Sequence, residues 1–251
     1  MKIKRLAICA HPDDAEIFAI NAIAKGDFAL VVMSDGAGCA KGSGYEKMTA
    51  EELKELRVTE QQEAAEVGGY KRLYMLGLTS EKVREGGEKV EAILSEIIDE
   101  TMPDEVYIHN PFDSHPTHLG AFWRAFYALK KANHKVKKLY ACEVWRGLDW
   151  FIGDEKVALD TSDTDEISDA LMDKFASQNA TKNYNLGAKG RRYANATFNG
   201  IREANKMKSF NWALDMTEYL GYDDNRLIAF IEDSLEVFKQ TVLENTFKNM
   251  K

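Results

Sequence analysis

The sequence predicts an α/β fold, a mostly parallel sheet with helices on both faces, and three observations predict it. Short apolar, β-prone runs alternate with longer segments of helical period from the start of the chain to Cys142. The helical segments are long enough to cross back over a sheet face, as a parallel strand pair requires. Helix-boundary signals fall where the periodicity changes. Taken in order, strands are expected at Arg5–Ala10, Ala29–Met33, Arg72–Leu76, Glu105–His109 and Lys138–Cys142. Helices are expected near Asp14–Lys25, Ala50–Val67, Glu88–Thr101 and His118–Asn133. Thr49 with Glu52 forms a capping-box pattern, Gly68-Gly69 ends that helix, and Pro103 follows the next. The glycine-rich stretch Ser34–Met48 has no period and reads as a long loop, either mobile or covering a substrate. The rhythm is Rossmann-like, a three-layer αβα arrangement.

Beyond Cys142 the rhythm weakens to a short strand at Lys156–Leu159, a helix around Asp165–Gln178 and an Asn/Gly/Arg-rich loop over Asn179–Gly200. Leu227, Ile231, Leu235, Phe238 and Val242 form the apolar stripe of a last helix. The stripe is expected to pack on its own domain in preference to a second subunit, which leaves a homo-oligomer open. No repeat or linker interrupts the chain, so one domain is expected over residues 1–251, with 180–251 a C-terminal helical extension.

A chain of 251 residues can bury a sizeable core, and its 45% apolar and 29% charged residues are those of a globular protein. The net charge of -8 would repel a polyphosphate backbone, which argues against nucleic acid as a partner. The first apolar run is too short for a signal-peptide core and no long apolar span follows, so a cytoplasmic protein without a membrane span is expected. Cys9, Cys39 and Cys142 are odd in number and widely spaced, which offers neither a disulfide framework nor a zinc knuckle.

The chemistry concentrates in two turns. His11-Pro12-Asp13-Asp14 lies where the first strand ends and a helix begins, beyond the carboxyl end of a strand, where open α/β sheets bind ligands. An imidazole and two carboxylates in one turn can supply metal ligands and a base, although acids at a helix start are also favoured by capping and the helix dipole. The second turn, Pro111–His118, follows the fourth strand and opens onto the same crevice. Three of the five histidines, His11, His115 and His118, therefore sit at the carboxyl ends of two strands. His109 reads as a strand residue and His134 as a surface residue, neither with a role. No G-x-G-x-x-G turn follows the first strand, which argues against a nucleotide-binding Rossmann domain.

The stretch AHPDDAE at Ala10–Glu16 resembles the signature of the PIG-L/LmbE family of zinc-dependent de-N-acetylases, and DSHPTH at Asp113–His118 resembles its second motif, D-x-H-P-D-H. Weaker matches run over about the first 180 residues: Asp35-Gly36, Arg57 and Glu60 ahead of Ala64-Ala65, Leu76-Gly77, Glu143-Val144-Trp145 and Ser177-Gln178. The resemblance implies that His11, Asp14 and His118 hold Zn2+ or Fe2+ and that Asp13 is the general base. It gives His115 the role of general acid or oxyanion stabiliser, and lets Arg57 reach the substrate. Three N/O ligands leave zinc an open position, where the pKa of a bound water can fall to about 7. The implied reaction removes an acetyl group from a small N-acylated substrate, a sugar of the N-acetylglucosamine type. The alternatives are an amidase of a thiol-sugar conjugate or another acylated small molecule, and a non-catalytic relative that binds metal or carbohydrate.

On a helix, Arg57 equally fits a pairing with Glu60 or Glu63. Glu16 reads either as supporting the site from behind or as facing solvent in the first helical turn, with solvent slightly favoured, and Trp145 either as an aromatic wall for a sugar or, the commoner role, as an apolar packing residue. The chain also departs from the family pattern. Thr117 replaces the usual aspartate of the second motif, with Asp113 placed to compensate beside His115. Phe18-Ala19-Ile20-Asn21 replaces a small, glycine-rich run after the first motif, and Leu78-Thr79-Ser80 stands where many members carry a substrate-binding aspartate.

Overall fold

The computed structural model describes residues 2–199 and 206–250. Strands β1 (Arg5–Cys9), β2 (Phe28–Ser34), β3 (Arg72–Leu78), β4 (Glu105–His109) and β5 (Lys138–Cys142) pair in parallel, with Arg5 opposite both Phe28 and Glu105. Two further strands, β6 (Lys156–Asp160) and β7 (Phe210–Asp215), complete a seven-stranded sheet in the order β3-β2-β1-β4-β5-β7-β6, with β7 antiparallel to both its neighbours. Every residue of β1 is buried: Leu6 and Ile8 join the core on one face, Ala7 and Cys9 the core on the other. A strand covered on both sides has no polar face, which is why these strands read as continuous apolar runs.

Helices α1 (Asp14–Phe18), α2 (Ile20–Ala24) and α3 (Ala50–Val67) contribute Phe18, Ile23 and Ala64 to one core, joined by Leu171 of α7 (Asp165–Met172). Helix α4 (Ser80–Glu85), α5 (Glu88–Thr101) and α6 (Pro116–Lys131) cover the other face through Val83, Leu94, Ile98, Phe122 and Phe126. The chain continues through α8 (Ala176–Asn179), α9 (Tyr184–Phe198) and α10 (Asp224–Asn249). The result is the expected α/β sandwich. Among the described residues no helix is long and apolar enough to cross a membrane.

The helix expected over Asp14–Lys25 is broken at Ala19, whose backbone leaves the helical region at φ -113°. The buried Asn211 side chain of β7 donates to the Ile17 and Phe18 carbonyls at 3.1 Å each, satisfying carbonyls at the break. An Asn211→Leu variant should therefore lose about 1–3 kcal/mol of stability by denaturant unfolding, because two buried acceptors lose their donor.

The segment 180–251, expected as a helical extension, also supplies β7, which lies inside the sheet. Helix α9 occupies most of the loop expected over Asn179–Gly200, whose last residue lies outside the described residues. The stripe of α10 packs on the domain only in its first half. Leu227 is buried and Ile231 is partly buried against the core, whereas Leu235, Phe238 and Val242 are 50%, 38% and 48% exposed.

Candidate active site

Strand order reverses between β1 and β4, so the connections leaving these neighbours diverge and open a crevice at their carboxyl ends. Both sequence motifs leave from these two ends. His11–Asp14 links β1 to α1, and residues 110–118 link β4 to the first turn of α6.

The β1 turn is bent sharply at Asp13, which adopts the left-handed conformation at φ 85°. Aspartate tolerates this region better than most residues. Its backbone N–H donates to Gln61 Oε1 at 3.2 Å, and its carboxylate accepts from Arg57 Nη2 at 3.3 Å. The same Arg57 nitrogen donates to the Pro12 carbonyl at 2.6 Å. The turn is thus held from α3. The carboxylate of Asp14 in turn accepts from the His11 backbone N–H at 2.7 Å.

Three side-chain donors from the two motifs converge. His11 Nδ1 lies 3.2 Å from His118 Nε2 and 3.3 Å from Asp14 Oδ2, and His118 Nε2 lies 3.5 Å from Asp14 Oδ1. A tetrahedral divalent ion about 2.1 Å from each donor would space neighbouring donors about 3.4 Å apart; the two imidazole nitrogens meet that spacing, and Asp14 presents a different oxygen to each of them, so the residues present fit an ion held between the imidazoles and the carboxylate. The Asp113 carboxylate meets His118 Nδ1 at 2.8 Å, fixing the tautomer that turns the Nε2 lone pair inward. Asp113 does not serve the His115 ring, as the missing motif aspartate had suggested; it accepts from the His115 backbone N–H at 2.8 Å. Thr117 is buried beside it.

The local electrostatics separate the two neighbouring acids. Burial pushes the Asp13 carboxyl up to about 7, against the pull of the Arg57 guanidinium and with the help of the Asp14 charge. Burial acts on Asp14 too, but the charge of His118 and hydrogen bonds from His109 and His11 hold it well below the usual carboxylate range. His115, half-buried at the pocket, is pushed down by burial and then by His118 and His11. It therefore faces the site as a neutral imidazole near pH 7.

Arg57 is 1% exposed, and its nearest glutamate is Glu60 at 3.8 Å rather than Glu63. Its Nε and Nη1 have no hydrogen-bond partner, although the residue lines the pocket. One end of the guanidinium is committed to Asp13 and Pro12, and the other is buried facing Glu60. Glu60 accepts from the Ser177 N–H and hydroxyl at 2.7 Å each, tying α3 to α8. Glu16, expected at the surface, is fully buried: its Oε1 accepts from Gln61 Nε2 at 2.7 Å and from the Tyr70 hydroxyl at 2.8 Å. It anchors Gln61, which holds the Asp13 backbone.

His109 was missed by the sequence reading. Its fully buried ring stacks on His118 with centroids 4.2 Å apart, and Nε2 lies 2.9 Å from the Ala10 backbone nitrogen and 3.3 Å from Asp14 Oδ2. Among the described residues two overlapping groups of potential metal donors result, His11–His115–His118 and Asp14–His109–His118, which divide the expected set of His11, Asp14 and His118 between them. The available signal was its position, the last residue of a strand whose carboxyl end faces the crevice.

The donors open into a cleft of about 490 Å³ lined also by Gly36, Ser80, Arg84, Trp145, Lys182 and Tyr184. The loop after β2 forms part of its wall. Trp145, expected to be packing, is 40% exposed and meets the Tyr184 ring edge-on at 5.6 Å.

The backbone superposes on proteins of known structure. Over 85% of this chain and 94% of the other, it matches the conserved protein TT1542 from Thermus thermophilus, with a TM-score of 0.66 and 18% identity. GalB, the 4-carboxy-2-hydroxymuconate hydratase from Pseudomonas putida, gives 0.64 and 20% over 85% of this chain and 95% of that one. The N,N'-diacetylchitobiose deacetylase from Pyrococcus horikoshii gives 0.63 and 19% over 86% and 85%. At these identities the likeness establishes the fold, and the hydratase shows that the fold alone does not set the reaction. No curated protein matches the sequence significantly. Residues 6–129, which carry both histidine motifs, match the family model described as PIG-L: GlcNAc-PI de-N-acetylase.

Proposed function

We propose that this protein is a zinc-dependent hydrolase that removes the acetyl group from an N-acetylated sugar or a related small molecule. The observation that carries the reading is the convergence of His11, Asp14 and His118 donors at 3.2–3.5 Å, with the Asp13 carboxylate in the same turn. The match to the de-N-acetylase family model supports de-N-acetylation as the reaction. The mixed N/O donor set suits zinc and also ferrous iron.

A bound divalent ion would polarise the acyl carbonyl and acidify water. Asp13 is cast as the base: its raised carboxyl has a strong affinity for a proton, and Arg57 fixes its aim. The proton that Asp13 takes from water is then available to the departing amine. His115, neutral and lining the cleft, donates an N–H to the oxyanion of the tetrahedral intermediate. Arg57, which lines the cleft, is cast as the substrate contact. A His115→Ala variant should lose about 10²–10³ in kcat with unchanged metal content, since one oxyanion donor is removed and the three proposed ligands remain; lost metal would make His115 a ligand instead.

The test is acetate release from a panel of N-acetylated sugars and acylated non-sugar amines, with the metal-free protein reconstituted with Zn2+ or Fe2+. Stoichiometric acetate and free amine are expected from a sugar substrate. Turnover of non-sugar amides alone would replace the sugar by another acyl donor. Metal uptake and ligand binding with no acetate released from any compound would establish a binding protein instead.

A further inference from the structure

The last helix outruns the domain that it packs on. Leu227, Phe230 and Ser234 of α10 are buried, but from Leu235 to Asn249 every residue is exposed. In this second half the Phe238 ring meets Trp150 edge-on at 5.7 Å, which fixes how the helix is rotated about its axis. An isolated helix of about 12–15 residues is marginal in water even with good helix formers. This one also displays Leu235, Phe238 and Val242 to solvent, so it needs a cover.

The apolar residues keep a seven-residue period. Ile228, Leu235 and Val242 are spaced by seven, and Ile231 and Phe238 interleave with them at alternating steps of three and four. That is the seam of a coiled coil, with Ile228, Leu235 and Val242 at a positions and Ile231 and Phe238 at d positions. The e positions beside the seam carry Glu232 and Lys239. Among the described residues Glu232 has no cation within 4.0 Å. Lys239 meets Glu236 of its own helix at 3.0 Å, an exposed pair that holds it weakly.

Charge selects what fits this seam. Two copies of α10 laid antiparallel about a two-fold axis between residues 236 and 237 stack Ile231 on Val242 of the second copy, and Leu235 on its Phe238, each layer occurring twice. In an antiparallel coil e positions face e positions, so the same register sets Glu232 against Lys239 of the second copy, again twice. Sliding one copy by a heptad sets Glu232 against Glu232 or Lys239 against Lys239, which repel. A parallel pair sets Glu232 beside Leu227 and Lys239 beside Ser234, with no ion pair at all.

We propose that α10 pairs with α10 of a second copy of this chain as an antiparallel coiled coil in that register, so that the protein assembles as a two-fold dimer or a multiple of one. The contact is isologous and closes on itself, because each copy presents both halves of every pair.

Light scattering and analytical ultracentrifugation of the full chain test this. Leu235→Glu and Val242→Glu, at positions exposed within one chain, should each halve the particle mass with an unchanged near-ultraviolet circular dichroism spectrum. Glu232→Lys and Lys239→Glu each set like charges across the seam and should raise the dimer Kd by about tenfold or more, and the double reversal should return it to within about threefold of wild type. Glu244→Lys, on the face turned away from the seam, is the control and should leave Kd unchanged. A single chain at every concentration, or a mass unmoved by both apolar variants, overturns the dimer. A Kd blind to the single reversals, or not restored by the double one, overturns the antiparallel register.

Discussion

An Asp13→Asn variant is expected to lose turnover by a factor of about 10²–10⁴ while still taking up metal like the wild type. The substitution keeps the shape of the side chain and suits the left-handed backbone at φ 85°, which asparagine tolerates as well as aspartate does. It removes the base and leaves His11, Asp14 and His118 in place. It also has a consequence for stability, with a definite sign. The Asp13 carboxyl is raised from 3.8 to about 7 in the folded, metal-free protein. Between those values the folded state binds more protons than the unfolded one, so stability falls as pH rises, and the loss is complete above about pH 7. Asparagine carries no such penalty. Metal-free Asp13→Asn should melt above the metal-free wild type at pH 8, with the gap closing toward pH 4. A variant that melts lower at pH 8 would show that the Arg57 pairing outweighs burial. Near-normal turnover would remove Asp13 from the role of base.

The second large effect is expected at His118. Its Nε2 faces the other two donors and its Nδ1 meets the buried Asp113 carboxylate at 2.8 Å. His118→Ala removes a ligand and also leaves Asp113 buried without that partner. Metal affinity should fall below detection by calorimetry, activity with it, and the metal-free protein should lose about 1–3 kcal/mol by denaturant unfolding. Asp113→Asn separates the two contributions. It retains a side-chain oxygen that can accept from Nδ1 but loses the charge, and should weaken metal binding by about 10–100-fold with all three proposed ligands intact. Equal metal affinity in wild type and His118→Ala would move the metal elsewhere, with Asp14, His109, His11 and His115 the remaining donors.

The parts of the fold legible in the sequence are those buried on both faces. Strands β1, β2 and β4 announce themselves as apolar runs because a parallel sheet under two helix layers leaves them no polar side. Strand β7 was not legible: its partners β5 and β6 lie far earlier in the chain, and nothing local to FNWALD says that it inserts between them. Helix α9 hides behind Asn183, Gly187 and Gly190, which read as loop. It is held by tertiary contacts, Arg192 Nη2 to the Ser168 hydroxyl and Asn195 to the Phe210 carbonyl.

The candidate site divides along the same line. His11, Asp13, Asp14, His115 and His118 could be brought together on paper because both motifs follow strands that end at one crevice. What each supporting side chain reaches could not. Arg57 reads as a substrate contact on a helix, yet its guanidinium bridges to Pro12 and Asp13 across the cleft floor. Glu16 reads as a solvated helix start, yet Gln61 and Tyr70 enclose it. Such long-range contacts follow from the docking of α3 on the first motif, which no local pattern encodes.

The central claim, a single hydrolytic metal centre built by His11, Asp14 and His118, is tested most directly by titrating the metal-free protein with Zn2+ or Fe2+ while following acetate release from the best substrate of the panel. Activity should be absent without metal, rise linearly, and reach its maximum at one equivalent per chain. Full acetate release from the metal-free protein would contradict the claim.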